Sequence, residues 1–485
     1  MAEFDLVVRG GTVVTAERTV QADVGVRGGK IVEVGAGLAA GRQEVDARGK
    51  LVMPGGIDSH CHVEQKSSAG VMCADDFYSA TVAAAFGGTT TIIPFAAQHR
   101  GDSITSVVQD YAERAKKSVV DYAFHLIVSD PTPDALNVEL PAMVKRGITS
   151  LKIYTTYELL RLKDDQVLDV LLAADRERAL VMVHAENHEV IQWIARRLLE
   201  RGHKAPKFHA TAHHPIAESE ATHRVIALTR ILDVPALIVH VSGSDAIETI
   251  RSAQTLGAKI HAESCPQYLF LTADDIDRPG LEGAKFCCSP PPRDAASQDA
   301  VWRALKDGTI GIYSSDHAPY RYDESGKLPK GDATTFKDMA NGVPGIQVRM
   351  PLLFSEGVGQ GRITLNEFVA LTSTNHAQMY GIADRKGTLN VGADADIAIW
   401  DPQRELTLTA AMMKDNAGYT PYEGRVVKGW PVQVLVRGQV VVDDGKLLAA
   451  KGSGQFVPCG TPAPLAGTRP TRDNAAGAFR RLIDS

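Results

Sequence analysis

Residues 51–62 read LVMPGGIDSHCH, a buried-strand pattern that passes through Pro54-Gly55-Gly56 and stops on two histidines one residue apart. Alternate residues of a strand share a face, so His60 and His62 project the same way and are spaced to hold one metal ion. Similar short apolar runs follow at 89–95, 121–128, 150–154, 179–184, 236–240, 259–264 and 309–315, each succeeded by helix-like sequence. Counting 51–58 as the first, eight strands alternate with helices and predict an α/β fold, a (β/α)8 TIM-like barrel. Gly87, Gly147, Gly257 and Gly308 each close a helical segment before a strand, where a left-handed residue favours glycine. Val225, Leu228 and Leu232 form one apolar helical face for packing against the barrel. A doubly wound open sheet is the competing fold, but no Gly-x-Gly-x-x-Gly follows the first strand.

The chain ends echo each other. Residues 5–14 (DLVVRGGTVV) and 432–442 (VQVLVRGQVVV) both read as strand, turn, strand, and 393–400 (ADADIAIW) as a further strand. Pairing them in one sheet predicts a small β-sandwich domain from residues 1–52 and 385–459, with the barrel inserted as 53–384. Residues 460–485, rich in Pro, Gly and Ala, read as an irregular tail. Across 485 residues, 44% hydrophobic and 23% charged content is ordinary for a globular chain and excludes disorder or a collagen-like repeat. A formal charge of −6 without a basic block argues against nucleic acid as a partner. No run approaches about 18 apolar residues, so no membrane span is expected. The N-terminus lacks a secretory pattern, and six irregularly spaced cysteines suggest a reducing compartment; a cytoplasmic protein is expected.

Active residues of a barrel sit at the C-terminal ends of its strands. There the first strand offers His60 and His62, the fourth Lys152, the fifth His184, the sixth His240 and the eighth Asp316. A single His-x-His is weak evidence, but five donors sharing one mouth point to metal. Lys152 is the odd member, since an ammonium beside divalent cations is repelled. A salt-bridging role is one reading. Carboxylation is the other: a carbamate turns the positive charge into a bridging anion. Two divalent ions bring four positive charges; carbamate, Asp316 and a hydroxide remove three, leaving one to polarise a carbonyl.

These residues, in this order, resemble the amidohydrolase superfamily, and the surrounding text resembles its hydantoinase and dihydropyrimidinase branch. The matching stretches are VMPGGIDSHCH, GGTTTII, SLKIYTTY, VMVHAEN, IVHVS, SSDHAP, NGVPGI and GADADIAIWDP, spanning about residues 6–444. The resemblance implies two divalent metal ions, most readily Zn2+ with Mn2+ or Co2+ as alternatives. His60, His62 and Asp316 would hold the more buried ion, His184 and His240 the more exposed one, and Lys152, as N6-carboxylysine formed with CO2, would bridge them. It further implies metal-hydroxide attack on a ring amide of a small-molecule cyclic ureide, opening 5-substituted hydantoins or dihydropyrimidines to N-carbamoyl amino acids. Asp316 would move the proton, Tyr157 would hydrogen-bond the oxyanion, and main-chain groups of Ser289 and Asn341 would read the ring edge. A homotetramer is implied as well.

Blander readings exist for some of these. Tyr157 fits a packed tyrosine, and Ser289 and Asn341 fit turns. His317 is expected to point away from Asp316 and to support rather than ligate. His209, His213, His214 and His223 read as a solvated loop and helix face, and Cys61 and Cys73 as packed small side chains. Glu64, two residues past His62, occupies the slot where dihydroorotases carry an arginine, so it is expected to disfavour anionic rings. The stretch 64–72 is more polar than the hydantoinase pattern. A cyclic imide hydrolase and an allantoinase-like enzyme share the chemistry. A non-catalytic interaction protein of the same fold, like the collapsin response mediator proteins, is the reading from another class; retention of all six candidate ligands weighs against it.

Overall fold

At Gly55 the chain passes from one sheet to another. The computed structural model describes residues 3–67, 70–466, 479 and 482–483. The run expected as one barrel strand over 51–58 is divided there: its first half joins a sheet from the chain ends and its second half opens the barrel. A Cβ on Gly55 would lie 2.2 Å from Thr90 Oγ1, and one on Gly56 2.3 Å from Met350 Sδ. At Gly55 the crossing is therefore packed so closely against the short β-branched Thr90 that glycine is required.

The strands in chain order are β1 (Phe4–Val14), β2 (Thr19–Arg27), β3 (Lys30–Gly35), β4 (Gly41–Asp46), β5 (Leu51–Pro54), β6 (Gly56–Cys61), β7 (Thr89–Ala97), β8 (Asp121–Tyr122), β9 (His125–Ile127), β10 (Ser150–Tyr154), β11 (Leu180–His184), β12 (Ala236–Ile238), β13 (Ile260–Ser264), β14 (Ile312–Tyr313), β15 (Ile397–Thr407), β16 (Val426–Val436), β17 (Gln439–Asp443) and β18 (Lys446–Leu447). One sheet has the order β18-β17-β16-β15-β5-β1-β2-β3, with β4 beside β1. Leu6, Val8, Val24, Ile31, Ile397 and Leu435 meet in one buried cluster, so the sheet closes over its own apolar face as a sandwich built from both ends. The echo between the two ends is only partial. Residues 5–14 form one continuous strand whose register shifts between Val8 and Gly11, a bulge with Gly10 at φ 64°. Residues 432–442 do turn, at Arg437-Gly438, both left-handed.

The second sheet runs β14-β13-β12-β11-β10-β9-β7-β6, all parallel, with β8 extending the β9 position against β7. It closes through a parallel bridge between Cys61 and His317, where His62 N–H donates to the His317 carbonyl at 2.7 Å. Helices separate the strands and bury faces such as Val225 and Leu232 in the helix Pro215–Leu232. Of the four expected left-handed glycines, Gly147, Gly257 and Gly308 are so; Gly87 is not, and Gly88 takes that conformation instead. Gly87 is required for another reason: a Cβ would meet the Gln347 carbonyl at 2.3 Å. Most of the expected tail, 460–485, lies outside the described residues; its start carries a 3-10 turn at Ala463–Leu465 with Leu465 buried.

At the N-terminal end of the barrel strands, Lys386 joins the two units. Its ammonium lies 2.7 Å from Asp121, 2.6 Å from Asp396 and 3.1 Å from Asp394, all buried. Arg437 adds a second cation on Asp121 and donates its backbone N–H to Asp396. Among the described residues no helix is long and apolar enough to cross a membrane.

Candidate active site

The six donor groups expected from the sequence stand together at the C-terminal mouth of the barrel. His60 lies in β6 and His62 just after it, Lys152 lies in β10, His184 ends β11, and His240 and Asp316 follow β12 and β14. His240, Asp316 and the nearby Tyr157 have φ of 41°, 48° and 68°. Such left-handed backbone is costly for a side-chain-bearing residue and is a common mark of functional sites. Here the chain leaves short strands by sharp turns that aim these side chains inward.

Asp316 Oδ1 lies 3.2 Å from His60 Nε2 and 3.3 Å from His62 Nε2. The donor atoms of this trio all fall within 4.8 Å of one another, a group able to hold a metal ion. Lys152 Nζ is 3.2 Å from the same His60 nitrogen, and the His240 ring is 4.4 Å from His184 and 5.4 Å from His60. Burial, reinforced by Lys152, drives His60 far below the ordinary imidazole range, and burial with His184 and Lys152 does the same to His240. Burial lowers His184 too, although Glu186 opposes it. Burial would raise the Asp316 carboxyl, but His60, His62 and Lys152 outweigh it and hold it low. Burial brings the Lys152 ammonium down to about 8. Neutral imidazoles, an ionised carboxylate and an amine that loses its proton near neutrality are donors that fit a divalent cation. His240 Nδ1 is a buried polar atom with no hydrogen-bond partner among the described residues, which agrees with that fit.

Supporting groups surround the donors. Glu263 Oε1 lies 2.5 Å from His60 Nδ1 and its other oxygen accepts from Ser314. An Nδ1–H given to Glu263 leaves the His60 Nε2 lone pair facing Asp316 and Lys152. Glu186 bridges His184 Nε2 at 2.7 Å and His213 Nδ1 at 2.8 Å; these histidines hold its carboxyl far below the usual range against the effect of burial. Gln65 accepts from His62 Nδ1 at 2.9 Å. Replacing Glu263→Gln weakens the hold on His60, and zinc affinity is expected to fall about 10–100-fold in competition with a chelator. An affinity within a factor of two of the parent would show that Glu263 does not orient this ring.

A cavity of about 410 Å³ opens over the donors and is also lined by Tyr157, Ser289 and Asn341. Burial together with Glu186 lifts the Tyr157 hydroxyl far above the usual phenol range against the opposing effect of Ser289, so it stays a proton donor. Leu160, Ile191, Ala195, Phe336 and Met339 form an apolar part of the wall. His317 turns away from Asp316 as expected: its Nε2 bonds Asp75 at 2.9 Å and its Nδ1 accepts from Gly345. Cys61 and Cys73 are buried thiols, pushed up by that burial, Cys73 to about 12.

Two expectations are corrected here. His209 and His213 do not belong to a solvated face: both are buried and line the cavity, and His209 donates to the Cys288 carbonyl at 2.8 Å; His214 and His223 are exposed. Glu64 does not face a substrate. It pairs with Lys117 at 2.9 Å and accepts from the Phe77 N–H, so its charge is neutralised outside the cavity. Among the described residues of its loop, Gln65 and Ser67 line the cavity. Glu263 and Glu186 were missed in the sequence; the signal available was an acid placed in or just after an apolar barrel strand.

A parallel barrel gathering buried imidazoles, a lysine and a carboxylate at the C-terminal mouth, beneath a cavity of small-molecule size, defines a barrel hydrolase. Comparison with known proteins identifies which one. The chain belongs to the amidohydrolase family, whose model matches residues 51–441. It is 40% identical to a D-hydantoinase of Rhizobium radiobacter over 455 residues, covering 93% of this chain and 98% of that protein. It is 42% identical to a D-hydantoinase of Geobacillus stearothermophilus, over 93% and 95% of the two chains. The crystal structure of dihydropyrimidinase from Brevibacillus agri NCHU1002 superposes with a TM-score of 0.91 at 41% identity, covering 96% of this chain and 99% of that one. The protein is thus a cyclic amide hydrolase of the hydantoinase and dihydropyrimidinase branch.

Proposed function

We propose that the protein opens neutral cyclic ureides, 5-substituted hydantoins or dihydropyrimidines, to N-carbamoyl amino acids at a binuclear metal centre. The observation that carries this reading is the convergence of His60, His62, Lys152, His184, His240 and Asp316 beneath a cavity that also presents Tyr157, Ser289 and Asn341. His60, His62 and Asp316 would hold one divalent ion, His184 and His240 the other, and Lys152 as its carbamate both; Zn2+ suits the nitrogen-rich set, with Mn2+ or Co2+ as substitutes. When bound, the ions lower the pKa of water toward neutrality and polarise the ring carbonyl.

The chain's own groups do the remaining work. Asp316, held ionised, accepts a proton and returns it to the departing ring nitrogen. Tyr157 keeps its hydroxyl proton and donates it as a hydrogen bond where negative charge develops on the ring oxygen. Main-chain groups at Ser289 and Asn341 hold the ring's NH and C=O edge. The apolar wall from Leu160 to Met339 suits an apolar ring substituent, and among the described residues no arginine lines the cavity to pair with a ring carboxylate. The wider reading includes a cytoplasmic homotetramer, with the sandwich and barrel units dividing near residues 52 and 385. A cyclic imide hydrolase is the second reading, since the same groups would serve a ring lacking one nitrogen.

The test is ring opening by zinc-loaded protein on a 5-aryl hydantoin, dihydrouracil, succinimide and dihydroorotate in parallel. Turnover of either of the first two with none of dihydroorotate is the expected result. Preference for succinimide would move the assignment to imides, and preference for dihydroorotate would overturn it.

A further inference from the structure

Lys327 is fully buried on the long segment that follows Asp316, and its environment is unlike that of a salt-bridging lysine. Its ammonium donates to three main-chain carbonyls, Cys287 at 2.7 Å, Ala340 at 2.8 Å and Gly342 at 2.6 Å. A lysine ammonium has three N–H groups, and here each has one acceptor. No carboxylate accompanies them among its hydrogen bonds. Burial brings the group down to about 8, only partly offset by Cys287 and Cys288. The chain has taken a charge out of water to hold two loops, 287–289 and 340–342, against one another.

Those loops carry Ser289 and Asn341. They touch directly as well, through Gly342 N–H on the Cys287 carbonyl at 3.0 Å. The second loop is then tied to the segment of Asp316 by Ala318 N–H on the Val343 carbonyl at 3.0 Å. Gly342, at φ 154°, admits no side chain, since a Cβ would lie 2.4 Å from Ala318 Cβ and 2.7 Å from its carbonyl. The interlock therefore has little slack.

The Ala340 carbonyl matters most, because it belongs to the same peptide group as the Asn341 N–H. In a trans peptide the two point in opposite directions, so a cation on the carbonyl leaves the N–H facing away from Lys327. Asn341 lines the cavity, and its N–H donates to no described residue. A charged donor on one end of a peptide group polarises the other and makes its N–H a stronger donor.

We propose that Lys327 is a positioning residue for the ring-opening reaction. Its ammonium sets the spacing of the Ser289 and Asn341 loops and strengthens the Asn341 N–H toward a substrate carbonyl, without touching substrate itself. The assignment of Ser289 and Asn341 rests on the function proposed above; the loop clamp rests on geometry alone.

The test compares zinc-loaded parent, Lys327→Gln and Lys327→Met as full-length protein. Glutamine keeps two donors and no charge, and methionine keeps only the volume. Amide hydrogen exchange at 287–289 and 340–342 is expected to quicken at least tenfold in both variants, while β6 and bound zinc are unchanged. With a 5-aryl hydantoin, KM is expected to rise at least tenfold with kcat changed less, the effect being larger for Met than for Gln. Should the Met variant fail to fold, the Gln variant decides alone. Unchanged exchange in the two loops overturns the clamp whatever the activity. Quickened exchange with KM unchanged overturns the link to substrate. A parent that opens no ring ureide or imide refutes the proposed function instead, and the exchange arm still decides the clamp.

Discussion

Replacing Lys152→Met is expected to lower kcat/KM on the preferred hydantoin or dihydropyrimidine by at least about three orders of magnitude, equivalent to ~4 kcal/mol. The side chain is fully buried, its Nζ sits 3.2 Å from His60 Nε2, and its ammonium is lowered to about 8 by burial. A neutral amine is the form that captures CO2, and in the centre proposed above the resulting anion, unlike an ammonium, would suit two cations among neutral imidazoles. Methionine keeps the length and apolar stem but offers no oxygen. In parent protein supplied with 13C-bicarbonate, a carbamate carbon resonance is expected, and it should vanish in the variant together with part of the bound metal. Activity within tenfold of the parent, with two metals per chain, would remove Lys152 from the centre.

The second large effect concerns stability. Lys386→Met would leave Asp121, Asp394 and Asp396 gathered in a buried site without their central cation. Breaking a buried ion cluster by removing one partner costs about 3–5 kcal/mol, because the remaining charges stay desolvated. The midpoint of thermal unfolding is expected to fall by several degrees, while kcat of the folded fraction holds, since the cluster lies at the barrel end opposite the mouth. The pH dependence has a definite sign. Burial raises the Asp394 carboxyl, but Lys386 and Lys30 outweigh it and hold it low. Its contribution is present above the unfolded carboxylate pKa and is lost as pH falls through the lower folded value. The parent should therefore lose stability in acid more steeply than the variant. An unfolding midpoint within one degree of the parent would show that the cluster contributes nothing net.

The donors at the mouth were legible because each is a local signal: a polar residue at or just past the end of an apolar run, at a position where a barrel collects its loops. His60, His62, Lys152, His184, His240 and Asp316 could be read one strand at a time. Their supports could not. Glu263 meets His60 across 203 residues of chain, and although an acid within a barrel strand is visible locally, no local pattern says which donor it supports. Glu64 shows the opposite failure. Its position next to the histidines suggested a role toward substrate, yet a lysine 53 residues away takes its charge.

The sequence alone determined the alternation of strands and helices, the pairing of the chain ends in one β unit and the set of chemical groups at the mouth. Periodicity, glycine punctuation and strand-end polarity are short-range consequences of backbone geometry. Tertiary structure alone decided where 51–58 changes sheets, that His209 and His213 are buried in the cavity wall, and that Lys327 binds carbonyls rather than a carboxylate. Those outcomes depend on which distant backbone or side chain fills the last coordination position around a buried group, and packing settles that choice only when the barrel closes.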